Sequence, residues 1–166
     1  PDNANLLLFG YFQSEKYFEQ YKDLILYHFK PKYEYTKFIE LPNEHFLKQD
    51  NITSVHVRRG DYLLRPDYYN NLSESSYYGD AMAYILEKHP DAQFVFHSDD
   101  IDWCRKTFGN KHFYSQITGH HSELVELYAM AFCRHHILCN SSYSWWIGYL
   151  SRIYNDPTTC DKPNFN

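Results

Sequence analysis

Apolar and polar positions follow two different periods along this chain. Short runs rich in Val, Ile and Phe predict strands, and apolar residues that recur every three or four positions predict helices. The predicted strands are Ile52–Val57, Gln93–His97, His112–Tyr114 and Ile137–Cys139, and Asn5–Phe9 is a strand or an extended lead-in. The predicted helices are Ser14–Phe29, Ser76–His89, Ile101–Phe108, Ser122–Cys133 and Ser142–Tyr154, with loops at Lys30–Gln49 and Leu63–Leu72.

The alternation of strands and helices predicts an α/β fold with a parallel, doubly wound sheet, because right-handed crossovers join parallel strands through helices. A chain of 166 residues is long enough for one domain and too short for two ordinary ones. We therefore expect one compact unit, with an N-terminal helix and linker region in residues 1–50 and the sheet domain in residues 51–166.

The charge and the apolar content exclude several classes of protein. With 16 basic and 21 acidic residues, the chain has a net charge of -5 and no general footprint for nucleic acid or an anionic membrane. The most apolar stretch, Leu124–Cys139, is interrupted by charged residues and histidines, so no membrane span is predicted. No export signal is visible, and the four cysteines lack CxxC spacing. We expect a cytoplasmic location, or a Golgi-type lumen if a longer protein carries an N-terminal anchor.

Polar residues follow three of the predicted strands at their C-terminal ends. They are His56, Arg58, Arg59 and Asp61 at the end of the first strand, His97, Ser98, Asp99 and Asp100 at the end of the second, and Asn140, Ser141 and Ser142 at the end of the last. Because the carboxyl ends of parallel strands meet at one edge of a sheet, where ligands of open α/β folds bind, we expect these residues to share a site.

Each group suits one part of a nucleotide-type ligand. Arg58 offers a planar fork of donors to a diphosphate. Asn140, Ser141 and Ser142 open a helix whose free N–H groups and dipole form a second anion site. Asp99 or Asp100 can accept hydrogen bonds from ribose hydroxyls or from the N–H edge of guanine.

Taken one at a time, these residues also have simpler interpretations. Arg58, Arg59 and Asp61 suit a surface ion-pair cluster. Asp99-Asp100 and Asn140–Ser142 suit plain helix caps. The sequence Arg59-Gly60-Asp61 also spells an adhesion tripeptide, but three residues carry almost no information.

Other chemistries lack support in the sequence. The adjacent histidines His120-His121 and His135-His136 have no companions at metal-ligand spacing, so no metal site is predicted. No GxxxxGK[ST], GxGxxG or GxSxG motif is present, which removes the main supports for ATP hydrolysis, dinucleotide redox chemistry and a hydrolase.

Four motifs, considered together, resemble one family. They are Gly10–Phe18 (GYFQSEKYF), His56–Tyr62 (HVRRGDY), Phe96–Asp100 (FHSDD) and Asn140–Trp146 (NSSYSWW). In this order and spacing they resemble the α-1,2-fucosyltransferases of glycosyltransferase family 11. The resemblance implies a Rossmann-like sheet, similar to the C-terminal donor-binding half of a two-domain GT-B enzyme.

The same resemblance implies an inverting transfer of L-fucose from GDP-fucose to a glycan acceptor, with no cofactor and no required metal. It assigns Arg58 to the β-phosphate of the donor, His56 and Asp99 to the guanosine end, and Ser141 and Ser142 to the serine turn. Asp61 is a candidate general base, as is Asp67. Asp61 is also suited to holding Arg58 or Arg59 in place, so the base stays unassigned.

One departure concerns the start of the family's pattern. Members usually begin with a GGLGNQ-type motif and an acceptor-side region that this sequence lacks. We therefore expect the donor-binding half of such an enzyme, with an acceptor-side domain as its partner. The alternatives are a transferase for another nucleotide-sugar and a non-catalytic nucleotide- or glycan-binding module.

Overall fold

A sheet of four parallel strands lies at the centre of the protein, in the order β3-β2-β1-β4. The computed structural model describes residues 7–31, 51–115 and 122–155. The strands are β1 (Ile52–Val57), β2 (Gln93–Ser98), β3 (Phe113–Tyr114) and β4 (His135–Ile137). The predicted α/β fold with a parallel sheet is confirmed.

Helices cover both faces of this sheet. They are α1 (Lys22–His28), α2 (Gly60–Leu64), α3 (Tyr77–Lys88), α4 (Ile101–Phe108), α5 (Ser122–Phe132), α6 (Ser142–Leu150) and α7 (Arg152–Asn155). On one face, Val55 of β1 and its partner Phe96 of β2 pack with residues of α3 and α4. On the other face, His56 contacts α6. All six residues of β1 are therefore buried, as expected for a central strand of a doubly wound sheet.

None of the helices in the described ranges is both long enough and apolar enough to cross a membrane.

The predicted helix Ser14–Phe29 is wrong in its first half. Two short 3-10 turns, Glu15–Tyr17 and Glu19–Tyr21, precede α1. Phe18 lies between them with φ -142° and ψ 23°, outside the helical region. Its ring lies 5.5–6.4 Å from the ring centroids of Trp145, Trp146 and Tyr149 on α6. Tertiary packing of this aromatic residue therefore overrides the helical period.

The last strand lies two residues earlier than the prediction Ile137–Cys139. Thr53 and Val55 of β1 pair with His135 and Ile137. Beyond that point the backbone N–H of Cys139 donates to the hydroxyl of Ser144 at 3.1 Å instead of to a strand. The chain therefore leaves the sheet early in order to start α6.

Two helix boundaries also differ from the prediction. The helix expected over Ser142–Tyr154 is interrupted at Ser151, whose hydroxyl donates to the carbonyl of Gly148 at 2.8 Å. The loop expected over Leu63–Leu72 begins inside α2.

Three predicted segments extend beyond the described residues. They are most of the loop Lys30–Gln49, the start of Asn5–Phe9 and everything after Asn155. Leu7–Phe9 forms no strand. The boundary between residues 1–50 and residues 51–166 stays a prediction.

One carboxylate ties the end of β2 to the start of α2. Asp99 accepts hydrogen bonds from the backbone N–H groups of Arg59 at 2.9 Å and Gly60 at 3.0 Å. A Cβ at Gly60 would lie only 2.7 Å from Oδ2 of Asp99, so the close approach requires a glycine. Asp99 therefore caps α2 and fixes the direction in which the chain leaves β1.

Gly60→Ala is expected to destabilise the fold by about 1–3 kcal/mol, because the new methyl group pushes Asp99 away from both N–H groups. Gly79→Ala is the matched control. Gly79 lies inside α3, and a methyl group added there would meet no atom within 4 Å, so alanine should add about 0.5–1 kcal/mol of stability. Urea unfolding measures both. Equal stability of the Gly60→Ala variant and the parent would contradict this role of Asp99.

The sheet face toward α5 and α6 carries buried polar side chains. His56 and His97 occupy paired positions of β1 and β2, and the hydroxyl of Ser54 lies 2.9 Å from Nδ1 of His136 on β4. Burial lowers the pKa of His56 to about 4, and the neighbouring His97 adds to this effect. Burial likewise lowers the pKa of His136 to about 4, with a smaller contribution from His135. His56 and His136 are therefore neutral in the folded protein at neutral pH.

These low pKa values predict that stability falls as the solution is acidified. Between pH 6.5 and 4 the unfolded chain binds protons at His56 and His136 that the folded chain does not, so the unfolding free energy falls with pH in that window. In His136→Gln the loss between pH 7 and pH 5 should be smaller than in the parent by about 2 kcal/mol. Urea unfolding at both pH values measures this difference. An identical loss in the variant would refute the buried neutral state of His136.

Candidate functional site

The ends of β1, β2 and β4 meet at one edge of the sheet, here called the carboxyl edge. Nη1 of Arg58 lies 2.9 Å from Oδ2 of Asp99, which joins the ends of β1 and β2. The hydroxyl of Tyr62 on α2 donates to the carbonyl of Asn140 at 2.8 Å, which joins the β1 side to the start of α6. The structure thus brings together all three groups of residues that the sequence analysis singled out.

Arg58 is held between two carboxylates. Asp61 Oδ1 lies 2.9 Å from Nε and 2.8 Å from Nη2, while Asp99 Oδ2 lies 2.9 Å from Nη1. A guanidinium has five N–H donors, so these contacts leave two without a partner among the described residues. The Arg58 side chain is 38% exposed, so the remaining donors are accessible to a ligand.

Arg59, by contrast, is engaged inside the fold. Its guanidinium carbon lies 4.0 Å from the ring centre of Trp103, Nε donates to Asp100 at 3.0 Å, and Nη1 donates to Ser73 at 2.7 Å. Its side chain is only 12% exposed. In this conformation Arg59 fastens the carboxyl edge to α4 instead of facing a ligand.

The polar residues after β2 form the turn into α4. The hydroxyl of Ser98 accepts from the N–H of Asp100 at 2.9 Å. Asp100 is the N-cap of α4 and accepts from the N–H of Trp103 at 3.2 Å. Both carboxylate oxygens of Asp99 already bind Arg58 or the backbone of α2. Asp99 and Asp100 therefore bind groups of the chain itself and stabilise the carboxyl edge.

The residues after β4 leave donors at the N-terminus of α6. Ser141 caps the helix by accepting from the N–H of Ser144 at 3.1 Å, and the amide of Asn140 donates to the carbonyl of Asn70 at 2.9 Å. The N–H groups of Ser142 and Tyr143 have no partner among the described residues, and Ser142 is exposed. With the helix dipole, these N–H groups favour an anion at this end of the edge.

His56 is oriented by a residue that the sequence analysis missed. Its Nδ1 lies 2.6 Å from the hydroxyl of Ser144, which is fully buried, and 3.3 Å from the sulfur of Cys139. Ser144 stands three positions after Ser141 in the same motif, on the inner side of α6. These contacts fix the ring of a neutral histidine beneath the carboxyl edge.

Glu126 on α5 is a second residue that the sequence analysis did not select. Its Oε1 accepts from the hydroxyl of Ser115 at 2.7 Å and lies 3.6 Å from Nδ1 of His97. Burial alone would raise the pKa of Glu126, but His97, the hydroxyl of Ser115 and His56 together hold the pKa below its usual value. Glu126 is thus an ionised carboxylate beside His97, and its side chain is 25% exposed.

Sequence comparison with other proteins identifies the family to which this chain is similar. The model of glycosyl transferase family 11 matches residues 1–164. An O-antigen biosynthesis glycosyltransferase of Escherichia coli is 30% identical over 155 residues, which cover 87% of this chain and 50% of the relative. An alpha-1,2-colitosyltransferase of Escherichia coli is 33% identical over 162 residues, which cover 94% of this chain and 55% of the relative.

A galactoside 2-alpha-L-fucosyltransferase of Caenorhabditis elegans is 31% identical over 155 residues, which cover 86% of this chain and 41% of the relative. The chain thus spans about half the length of the curated relatives it matches, or less. The family match extends over nearly the whole chain and includes all the residues of the carboxyl edge. This chain belongs to glycosyl transferase family 11.

Proposed function

We propose that this chain forms the donor-binding part of an inverting glycosyltransferase that moves L-fucose from GDP-fucose to a hydroxyl group, O2 of a terminal β-galactoside. Relatives named as galactoside 2-alpha-L-fucosyltransferases support both the sugar and the acceptor. The observation that carries the proposal is the state of Arg58. Two carboxylates fix its guanidinium, and two N–H donors stay available at the carboxyl edge.

The reaction places a specific demand on this edge. As the acceptor hydroxyl attacks the anomeric carbon, the bond to GDP breaks and negative charge grows on the diphosphate. Arg58 and the N-terminus of α6 are donors fixed before the reaction begins, so they stabilise that charge without reorganising. Removal of one such donor typically costs about 3–4 kcal/mol of transition-state stabilisation. In this proposal no metal ion is required, and the general base is unassigned.

Asp61 acts in this scheme by positioning Arg58, since its Oδ1 contacts both Nε and Nη2. A carboxylate that is occupied in this way is poorly placed to accept the acceptor proton as well. The same reasoning applies to Asp99, whose oxygens bind α2 and Arg58.

The guanosine end of the donor needs an acceptor for the N–H groups of the base. The family resemblance assigns this end to His56 and Asp99. Because Asp99 is engaged within the chain, we assign the guanine contact to Glu126, whose Oε2 has no partner among the described residues. Its ionised state suits the N1–H and N2–H groups of guanine.

Two alternatives remain for this site. The relative named alpha-1,2-colitosyltransferase favours a transferase that uses another nucleotide-sugar. The second alternative is a non-catalytic nucleotide- or glycan-binding module. Transfer from GDP-fucose to lactose, measured with the chain and with any longer gene product, separates fucosyl transfer from both alternatives.

Arg58→Ala should weaken GDP binding by about 10- to 100-fold, because a charge-assisted contact to phosphate is lost. Calorimetry with GDP in EDTA measures this loss and also tests the independence from metal. Arg105→Ala is the matched control, since Arg105 pairs with exposed Asp102 on α4. If both variants bind GDP as tightly as the parent, Arg58 does not contact the donor phosphates.

Glu126→Gln should weaken GDP binding by about tenfold and leave the weaker binding of UDP unchanged, because uracil does not present the two N–H groups of guanine. Competition calorimetry with both nucleotides measures the selectivity. Glu123→Gln, an exposed change on the same helix, is the control, and thermal unfolding verifies that both variants are folded. Equal losses for GDP and UDP would argue against a contact between Glu126 and the base.

A further inference from the structure

A concavity away from the carboxyl edge, here called the side cavity, lies along the flank of α6. Its volume is about 380 Å³. One wall is the N-terminal segment Gln13–Glu15, and the other includes Trp145, Tyr149 and Arg152. Gln13–Glu15 is the polar centre of the motif Gly10–Phe18, and Trp145 belongs to the motif Asn140–Trp146. Two of the motifs that carry the family resemblance therefore meet here, and the donor site proposed above uses neither of these walls.

Trp145 is half-buried and supplies the aromatic surface of the lining, whereas Tyr149 is buried against it. The rings of Trp145 and Tyr149 are stacked, with centroids 5.2 Å apart and planes inclined by 9°. Phe18 packs edge-on against both rings and holds them in place. The accessible part of the Trp145 ring is suited to the apolar C–H face of a pyranose.

The polar part of the lining carries opposite charges that cancel. Arg152 donates to the carboxylate of Glu15, so the side cavity presents an ion pair and no net charge. The exposed amide of Gln13 supplies both donors and an acceptor. A phosphate would have to compete with Glu15 for Arg152, whereas sugar hydroxyls can bond to all of these groups without breaking the pair. The chemistry favours a neutral polyhydroxylated ligand over a nucleotide.

The side cavity lies close to the carboxyl edge because both are built on α6. The first turn of α6, at Ser142, opens the anion site, and Tyr149 lies seven residues further along the helix. At 1.5 Å per residue the two are separated by about 10 Å along the helix axis. A short glycan can span that distance.

We propose that the side cavity binds a neutral pyranose residue of the glycan acceptor, with its ring against Trp145 and its hydroxyls on Gln13 and the Glu15–Arg152 pair. The identity of this sugar as part of the acceptor rests on the function proposed above. Binding of a neutral pyranose does not depend on that function, so the two are tested separately.

The experiment is saturation-transfer NMR on the chain with the methyl pyranosides of galactose, glucose, N-acetylglucosamine and mannose, followed by titration of the best binder. Gln13→Ala should weaken the affinity for that sugar by about fivefold, because one hydrogen bond is lost. Gln20→Ala, an exposed change in the same segment outside the cavity lining, should have no effect. Trp145→Phe should weaken sugar binding further, and thermal unfolding verifies that this variant is folded.

GDP titrations of the same variants keep the two proposals apart. Gln13→Ala should bind GDP normally, and Arg58→Ala should retain the sugar signal. If none of the four pyranosides gives a saturation-transfer signal, the side cavity is not a sugar site, even if GDP binds. A sugar signal that is lost in Arg58→Ala but kept in Gln13→Ala would overturn it as well. Sugar binding without GDP binding would support the cavity and contradict the proposed donor site.

Discussion

The carboxylate of Asp99 is the contact on which the rest of the carboxyl edge depends. It accepts two backbone N–H groups at the start of α2 and also pairs with Arg58. Its side chain is 25% exposed and that of Arg58 is 38% exposed, so solvent weakens the ion pair, and its contribution to stability is modest. The main effect is geometric. The same carboxylate sets the direction of the chain after β1 and the orientation of the guanidinium.

This constraint explains why the charged residues of one short segment have different roles. Arg58 and Arg59 are neighbours, but only Arg58 keeps donors at the surface, because Trp103, Asp100 and Ser73 surround Arg59. A sequence shows two equivalent guanidiniums. The difference arises from α4, which is brought against Arg59 only when the sheet forms.

The elements built on regular periods could be predicted from the sequence. β1 and α4 have the predicted bounds, because Val and Ile dominate β1 before the break at Gly60, and Asp100 and Gly109 cap the two ends of α4. The conformation of Phe18 could not be predicted, because the aromatic rings that draw it out of a helix are more than 120 residues away in the chain.

The candidate site, too, could be predicted only in part. The meeting of Arg58, Asp99 and Asn140 follows from parallel strand order, which the alternation of elements predicts. In the sequence, Glu126 is only a charge that interrupts an apolar stretch, and its partners come from other elements, so neither its burial nor its ionised state has a local signal.

Helix α6 links all of these features. Its first turn leaves N–H groups at the carboxyl edge, its inner side places Ser144 against His56, and its outer flank presents Trp145 and Tyr149 to the N-terminal segment. Gly148 lets the helix approach Leu138 closely, since a methyl group there would lie 3.0 Å from a Leu138 side-chain carbon. Because one rigid helix carries all three surfaces, a displacement of α6 would move the anion site, the histidine support and the side cavity together. The spacing between the two proposed ligands is therefore set by the length of a helix, which is a more rigid separation than a loop would provide.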